Sequence, residues 1–281
     1  MPLIPSLSII GHVCHDIIQD GHRLGGSASY AAFLARAIGY QPEVITSFSE
    51  EFAYRSLFDN QGIVLSNNSS EHTTVFSNKD KGDSREQKLL ARANDIILDA
   101  TSVNTSDIVF ICPIADEIDI SGYEFMADSL VVGLLQGWMR NCSNLGRIVP
   151  KELNPDILPV LDIALCSEED IKPLGKSYLD QLIQQHDHVV ITQGSRGVTI
   201  YQDKQPTFLP SFKTEVIDTT GAGDIFGMAY SLAYYEHRDI ITATTFAHAA
   251  ASLSIEEVGT NCISTLEDIL SRQELYKNLY L

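Results

Sequence analysis

Short runs of aliphatic and β-branched residues alternate along most of this chain with stretches of helical period, and that alternation leaves few architectures open. Leu7–Val13, Glu43–Ser47, Gly62–Leu65, Asp107–Cys112, Ser129–Leu135, Ile163–Cys166, His188–Thr192, Val198–Tyr201 and Lys213–Ile217 are predicted strands. Ser27–Ile38 places apolar residues at 30, 33, 34, 37 and 38, which is one buried face of a helix, and Gly39 ends it. Further helices are predicted over 52–60, 176–186, 224–236, 240–255 and 264–275. Strands alternating with helices imply an α/β fold with a central, mostly parallel sheet covered by helices on both faces. One stretch breaks the rhythm. Thr73–Ser77, the polar turn Asn78–Asp83 and Ser84–Leu90 predict a β-hairpin projecting from the sheet. Such a hairpin serves as a lid or, because bare strand edges pair, as a homodimer surface. With no internal repeat and no low-complexity linker, residues 1–281 are expected to form one domain, with a small lid from roughly 12–24 and 66–92.

Charge narrows the partners. A formal net charge of −18 argues against a nucleic-acid or anionic-membrane surface. An acidic protein still binds nucleotides through local backbone sites and a metal ion. The five cysteines, Cys14, Cys112, Cys142, Cys166 and Cys262, form no Cys-x-x-Cys pair, which fits reduced thiols in a cytoplasmic protein. The apolar start lacks a basic leader and is interrupted by Pro5, so it reads as a first strand and not a signal peptide. No apolar run approaches the ~20 residues of a membrane span.

The stretch Val216–Tyr230 carries the chemistry. Strand-like residues pass through Gly221-Ala222-Gly223 into a segment of small and apolar residues that reads as a buried helix. Amides at a helix start lack intrahelical partners. The N–H groups of Gly221, Ala222 and Gly223 would therefore converge on one spot, where the helix dipole adds positive potential. Asp224 stands at the edge of this anion site. A carboxylate does not help to bind an anion; its useful role there is as a base for a hydroxyl about to attack the bound group. The alternative is a plain strand-to-helix turn with Asp224 as a first-turn acid.

The chain resembles the ribokinase-like (PfkB) carbohydrate kinases in several ordered motifs. Asp218-Thr219-Thr220-Gly221-Ala222-Gly223-Asp224 is similar to the family's C-terminal signature. Gly25-Gly26 opens the first long helix, with Asp16 upstream. Ile191–Gly197 is a strand ending in a nucleotide-side loop, and Gly259 follows the helix around Ala247–Ile255. The resemblance implies ATP and Mg²⁺, with a monovalent cation left open, and a small sugar or polyol as acceptor. It implies Asp224 as catalytic base and Gly221, Ala222 and Gly223 as the anion hole. It places Asp16, Gly25, Gly26, Tyr30 and Gln136 with the acceptor. Ser167, Thr192, Gly194, Gly197, Thr220, His248 and Gly259 would lie with the nucleotide.

The chain also departs from the pattern. Members commonly carry an Asn and a Glu three residues apart before the nucleotide loop. Here Ser167 and Asp170 stand there, with Glu168 beside them, so Asp170 and Glu168 are the candidates to order the metal through water. Tyr30 replaces a frequent Asn. His248 stands where relatives place an Asn beside the adenine, and a packed helix histidine is the alternative. Gln136-Gly137-Trp138-Met139-Arg140 and Gly11-His12-Val13 with Asp16 are similar to a subgroup that includes inositol kinases, which points to a cyclitol. Ribose, fructose or a nucleoside are the other acceptors; a packed strand-end loop is the plain reading of Trp138. Arg140 is read as a phosphate contact or a helix cap, and Arg85 on the hairpin as a residue closing over the substrate. A non-catalytic relative acting as a sugar or nucleotide sensor is the competing function, but such a protein has no need of the base Asp224.

Overall fold

In a computed structural model of the chain, residues 4–80, 85–98, 106–121, 123–125, 128–142, 144–258 and 263–281 are described. Strands β1 (Leu7–Ile10), β2 (Cys14–Ile18) and β3 (Gly21–Gly25) lead into helix α1 (Ser27–Ala37). Then come β4 (Pro42–Phe48), α2 (Arg55–Gln61), β5 (Val64–Ser69), β6 (Thr74–Asp80), β7 (Arg85–Ala91), β8 (Ile108–Ile111) and β9 (Leu130–Leu134). Short strands β10 (Arg140–Asn141), β11 (Gly146–Arg147) and β12 (Val149–Pro150) precede β13 (Ile163–Ser167). The chain continues through α3 (Glu168–Ile171), α4 (Lys176–Gln185), β14 (His188–Thr192), β15 (Gly197–Gln202) and β16 (Gln205–Pro210). It ends in α5 (Ala222–His237), α6 (Ile240–Ser254) and α7 (Leu266–Tyr280).

Nine strands make the main sheet, in the order β16-β15-β14-β13-β9-β8-β1-β4-β5. The seven from β14 to β5 pair in parallel and the last two pair antiparallel. Central strands of such a sheet bury both faces, so their sequences read as continuous apolar runs. In β8, Ile108 and Phe110 pack into the core under α1, α5 and α6, while Val109 and Ile111 enter the second core, under α4. The expected α/β architecture is therefore present.

The edges differ from the sequence prediction. Lys213–Ile217 is not a strand: Val216 and Ile217 are exposed, and the amides of Ile217 and Asp218 bond to the Ile255 carbonyl at 2.7 and 3.2 Å. The sheet edge is taken instead by β16, folded back on β15 through Asp203 and Lys204, both at positive φ. The projecting element is larger than one hairpin. It is a five-stranded sheet in the order β11-β7-β6-β2-β3. The turn-rich Gly21–Gly26 is mostly strand here, because β3 pairs with β2 along its full length. Residues 66–69 belong to β5 of the main sheet and not to this small sheet.

A buried carboxylate holds the root of the small sheet. Glu117 accepts from the amides of His12, Ile114 and Ala115 at 2.7–3.1 Å. These amides lie just beyond β1 and β8. The His12 ring, kept neutral chiefly by burial, donates from Nε2 to the Asn94 carbonyl and accepts from Thr74 at the start of β6. One glutamate and one imidazole thus join the main sheet to both limbs of the small one.

Candidate active site

A cavity of about 680 Å³ lies between the small sheet and the carboxyl ends of the main strands. That volume suits a small ligand, and the carboxyl edge is where open α/β sheets place ligands. Gln136 follows β9, Ser167 ends β13 and Thr192 ends β14; all three line it. From the small sheet come Asp16 on β2, Phe76 and Asn78 on β6, Gln87 on β7 and Arg147 on β11. Thr219, Thr220, Gly221, Gly223 and Asp224 close the remaining side.

The turn before α5 is where the sequence places an anion seat. Gly221 caps the helix at φ 81, and a Cβ there would lie 2.6 Å from the Tyr30 ring, so the turn packs down on α1 only as glycine. Tyr30 is therefore a floor under the turn as well as part of the cavity wall. A Cβ at Gly223 would meet nothing within 4 Å: this position faces open space. The amides of Gly221 and Gly223 have no protein acceptor among the described residues. Ala222 differs from expectation. Its N–H turns back to the Thr219 carbonyl at 3.3 Å and it does not line the cavity, because closing the turn requires that bond. The turn thus leaves two amides, those of Gly221 and Gly223, free for a ligand among the described residues.

Asp224 faces this seat and a polar chain. Gln136 donates from Nε2 to Asp224 at 3.3 Å and to the Ser27 hydroxyl at 2.9 Å. Arg140 donates to the Gln136 carbonyl oxygen at 3.0 Å and to the Ile114 carbonyl at 3.1 Å, which fixes the amide with its NH₂ toward the carboxylate. On the other side Asp16, buried, accepts from Asn78 at 3.2 Å, and Gln87 donates to Asn78 at 3.0 Å. Gly25 makes room for this carboxylate, since a Cβ there would sit 2.5 Å from Asp16 Oδ2. Gly26 lines the cavity at the start of α1. Cys14 and Cys166 also line it, as thiols pushed well above their ordinary pKa by burial.

Ser167 and Asp170 have a specific local job. Asp170 Oδ2 accepts from the Ser167 hydroxyl at 2.6 Å and amide at 3.0 Å, and the Ser167 hydroxyl accepts from the Asp170 amide. This is a capping box at the start of α3. It commits one carboxylate oxygen of Asp170 to the protein. The neighbour at the cavity is Glu169; Glu168 points away and pairs with Arg196, because the helix turns it to the surface. Among the described residues no group of three or more His, Cys, Asp or Glu side chains forms a direct metal cage. Glu169, Asp170 and Asp224 fit a magnesium ion held through its own waters, the way this ion is usually bound.

The nucleotide-side residues are divided. Thr192 and Thr220 line the cavity, whereas Gly194 lies in the loop beyond β14 and Gly197 opens β15, and neither glycine lines it. His248 is buried in α6, stacked on Tyr276 of α7 at 5.5 Å and edge-on to Phe226. Burial lowers its pKa to about 4. The packed-histidine alternative describes its place. Gly259 lies outside the described residues, as does the side chain of Arg85. Sequence reasoning missed Asn78, Gln87, Ser27 and Glu169. The hairpin register Phe76↔Leu89 and Asn78↔Gln87 was the available signal for the first two, since it puts two amides on the face that carries Phe76 and Leu89.

Comparison with known proteins agrees with this fold. Residues 151–266 match the family described as pfkB family carbohydrate kinase. Ribokinase of Bacillus subtilis is 45% identical over 69 residues, 25% of this chain and 24% of that enzyme. The chain thus spans only about a quarter of that curated relative. Ribokinase of Arabidopsis thaliana, solved with ribose and ATP, superposes with a TM-score of 0.77 at 19% identity, covering 97% of this chain and 99% of that one. A pyrophosphate-dependent kinase of the ribokinase family, solved with a pyrophosphate analog and myo-inositol, gives 0.78 at 20% identity over 94% and 99%. At these identities the solved structures establish a shared fold.

Proposed function

We propose that this chain is a ribokinase-like member of the pfkB carbohydrate kinase family and that it transfers a phosphoryl group from ATP to a hydroxyl of a small polyol, a cyclitol first among the candidates. The observation that carries the reading is the opposition, within one cavity, of a two-amide anion seat with Asp224 at its edge and a wall of hydrogen-bonding side chains. Asp16, Asn78, Gln87 and Gln136 offer donors and acceptors in roughly equal supply, which suits an uncharged ring of hydroxyls.

Phosphoryl transfer needs positioning and charge stabilisation more than covalent chemistry. Asp224 takes the proton of the attacking hydroxyl. Gly221 and Gly223 present their N–H groups to the charge that grows on the transferring group. Gln136 holds the Asp224 carboxylate in place, and Arg140 holds Gln136. The small sheet covers the acceptor and excludes water. Magnesium, ordered through water by Glu169 and Asp170, would neutralise donor phosphates.

One observation favours a second donor. Thr192 and Thr220 reach the cavity, but His248 is packed beneath Tyr276 and away from it. Pyrophosphate needs the anion seat and no base contact. The test is a screen of inositols, hexoses, ribose and nucleosides with ATP and with pyrophosphate in parallel, read by release of ADP or of inorganic phosphate. Acceptor-dependent turnover with a cyclitol is expected. Turnover with none of these acceptors on either donor would move the assignment to a sensor.

A further inference from the structure

The small sheet touches the phosphate-side turn through one guanidinium, and we infer that Arg23 is a latch through which the acceptor-binding hairpin sets the position of the anion turn. The inference rests on the kinase reading for its consequence, though not for its geometry. Arg23 lies directly opposite Asp16 in the β2–β3 ladder. Cross-strand partners project to the same face, so the acceptor carboxylate and the guanidinium move together.

Arg23 crosses to a segment 195 residues away. It donates to Asp218 Oδ2 at 2.8 Å and to the Thr220 hydroxyl at 3.0 Å. The other Asp218 oxygen accepts from the Thr220 amide at 2.9 Å, which bends the chain immediately before Gly221. One guanidinium therefore holds both the carboxylate that shapes the turn and the residue that leads into the anion seat. The two side chains are 25% and 17% exposed, enough shielding for a charge-assisted contact to matter. Burial raises the Asp218 carboxyl, but hydrogen bonds from the Thr220 amide and side chain, and then from Arg23, outweigh it and hold the group below its ordinary pKa. Arg23 does not line the cavity. It is a positioning residue: it bonds to the turn and stands outside the lining of the cavity that would hold donor and acceptor.

A hairpin drawn down by a ligand on Asp16 keeps Arg23 seated and the two amides aimed. A lifted hairpin withdraws it and frees the turn. Amide exchange in the ligand-free protein tests this without any need for catalysis. Arg23→Met is expected to raise exchange at Thr220 and Ala222, both hydrogen-bonded in the turn, by roughly tenfold, while the amides of β13 and β14 stay unchanged. Arg23→Lys, which keeps the charge and loses the fork, is expected to fall between. With a working acceptor, Arg23→Met should lower kcat about tenfold with little change in acceptor KM. In an Asp218→Asn background the same change should add almost nothing, because the two residues act as a unit. Unchanged exchange in the turn of both Arg23 variants overturns the latch whether or not an acceptor is found. A raised acceptor KM with kcat intact overturns it too, by making Arg23 an acceptor contact. If Arg23→Met does not fold, Arg23→Lys and Asp218→Asn carry the same exchange measurement. Failure of the acceptor screen with exchange changed as expected would refute the kinase reading and leave the latch standing.

Discussion

Two glycines two positions apart face opposite constraints, and that contrast gives a sharp residue-level prediction. At Gly221 an added methyl would strike the Tyr30 ring, and the backbone sits at positive φ. Gly221→Ala is expected to lower stability and to distort the turn. At Gly223 the methyl meets no protein atom and the helical backbone accepts it, so Gly223→Ala should melt within a degree or two of the parent. It places the methyl where the anion would sit, and donor affinity should fall by at least about tenfold, close to the ~1.4 kcal/mol that one displaced contact represents. Calorimetric titration of donor against each variant checks the pair. Equal donor affinity in Gly223→Ala and parent would mean the seat is elsewhere. Much of this was legible in the string of residues Asp218–Asp224, because glycine spacing and an adjacent acid have few other uses. Ala222 was not legible: which amide closes the turn depends on the path of the chain. Glu168 and Glu169 were equally ambiguous, since only the helix phase decides which one meets the cavity.

Buried Glu117 is the equivalent test at the scale of elements. It satisfies three amides from two strand ends, and no apolar residue can replace that. Glu117→Gln puts an NH₂ group against those donors and leaves at least one buried N–H unsatisfied, at about 1–3 kcal/mol each. For a chain of this size that lowers Tm by roughly 3–10 °C. Thermal unfolding followed by circular dichroism measures it; an unchanged Tm would show that the strand ends are held by other contacts. Central strands were readable as apolar runs because burial on both faces leaves little choice of residue. The edges were not. Lys213–Ile217 has strand composition but no partner, and β16 wins the edge through its turn with β15. Of the small sheet, β11 was not readable, because it is two residues long and pairs across a gap of over fifty residues.

Over the whole molecule, buried neutral histidines set the acid response. His188 and His248 are brought to about 4 by burial, and His12 is lowered by the same cause, from an ordinary value of 6.5. Their folded pKa values are depressed, so the unfolded chain takes up protons first. Stability is full above 6.5 and falls as the pH drops from there toward 4. Each of these histidines contributes up to about 1.4 kcal/mol per pH unit in that window. The carboxyls of Asp107, Asp218 and Glu256 are also depressed, and their contribution is lost only at lower pH. Urea unfolding at pH 7.5 and pH 5 should therefore show a marked loss, reduced in His248→Phe; equal stability at the two values would contradict the burial of these rings as neutral groups. The central claim joins this scaffold to one proton. Transfer of labelled phosphate to the acceptor identified by screening, compared in parent and Asp224→Asn with donor affinity measured alongside, tests it most directly. The account predicts a fall of about 10²–10⁴-fold in transfer with donor binding nearly intact. An Asp224→Asn enzyme that transfers at the parental rate would contradict it.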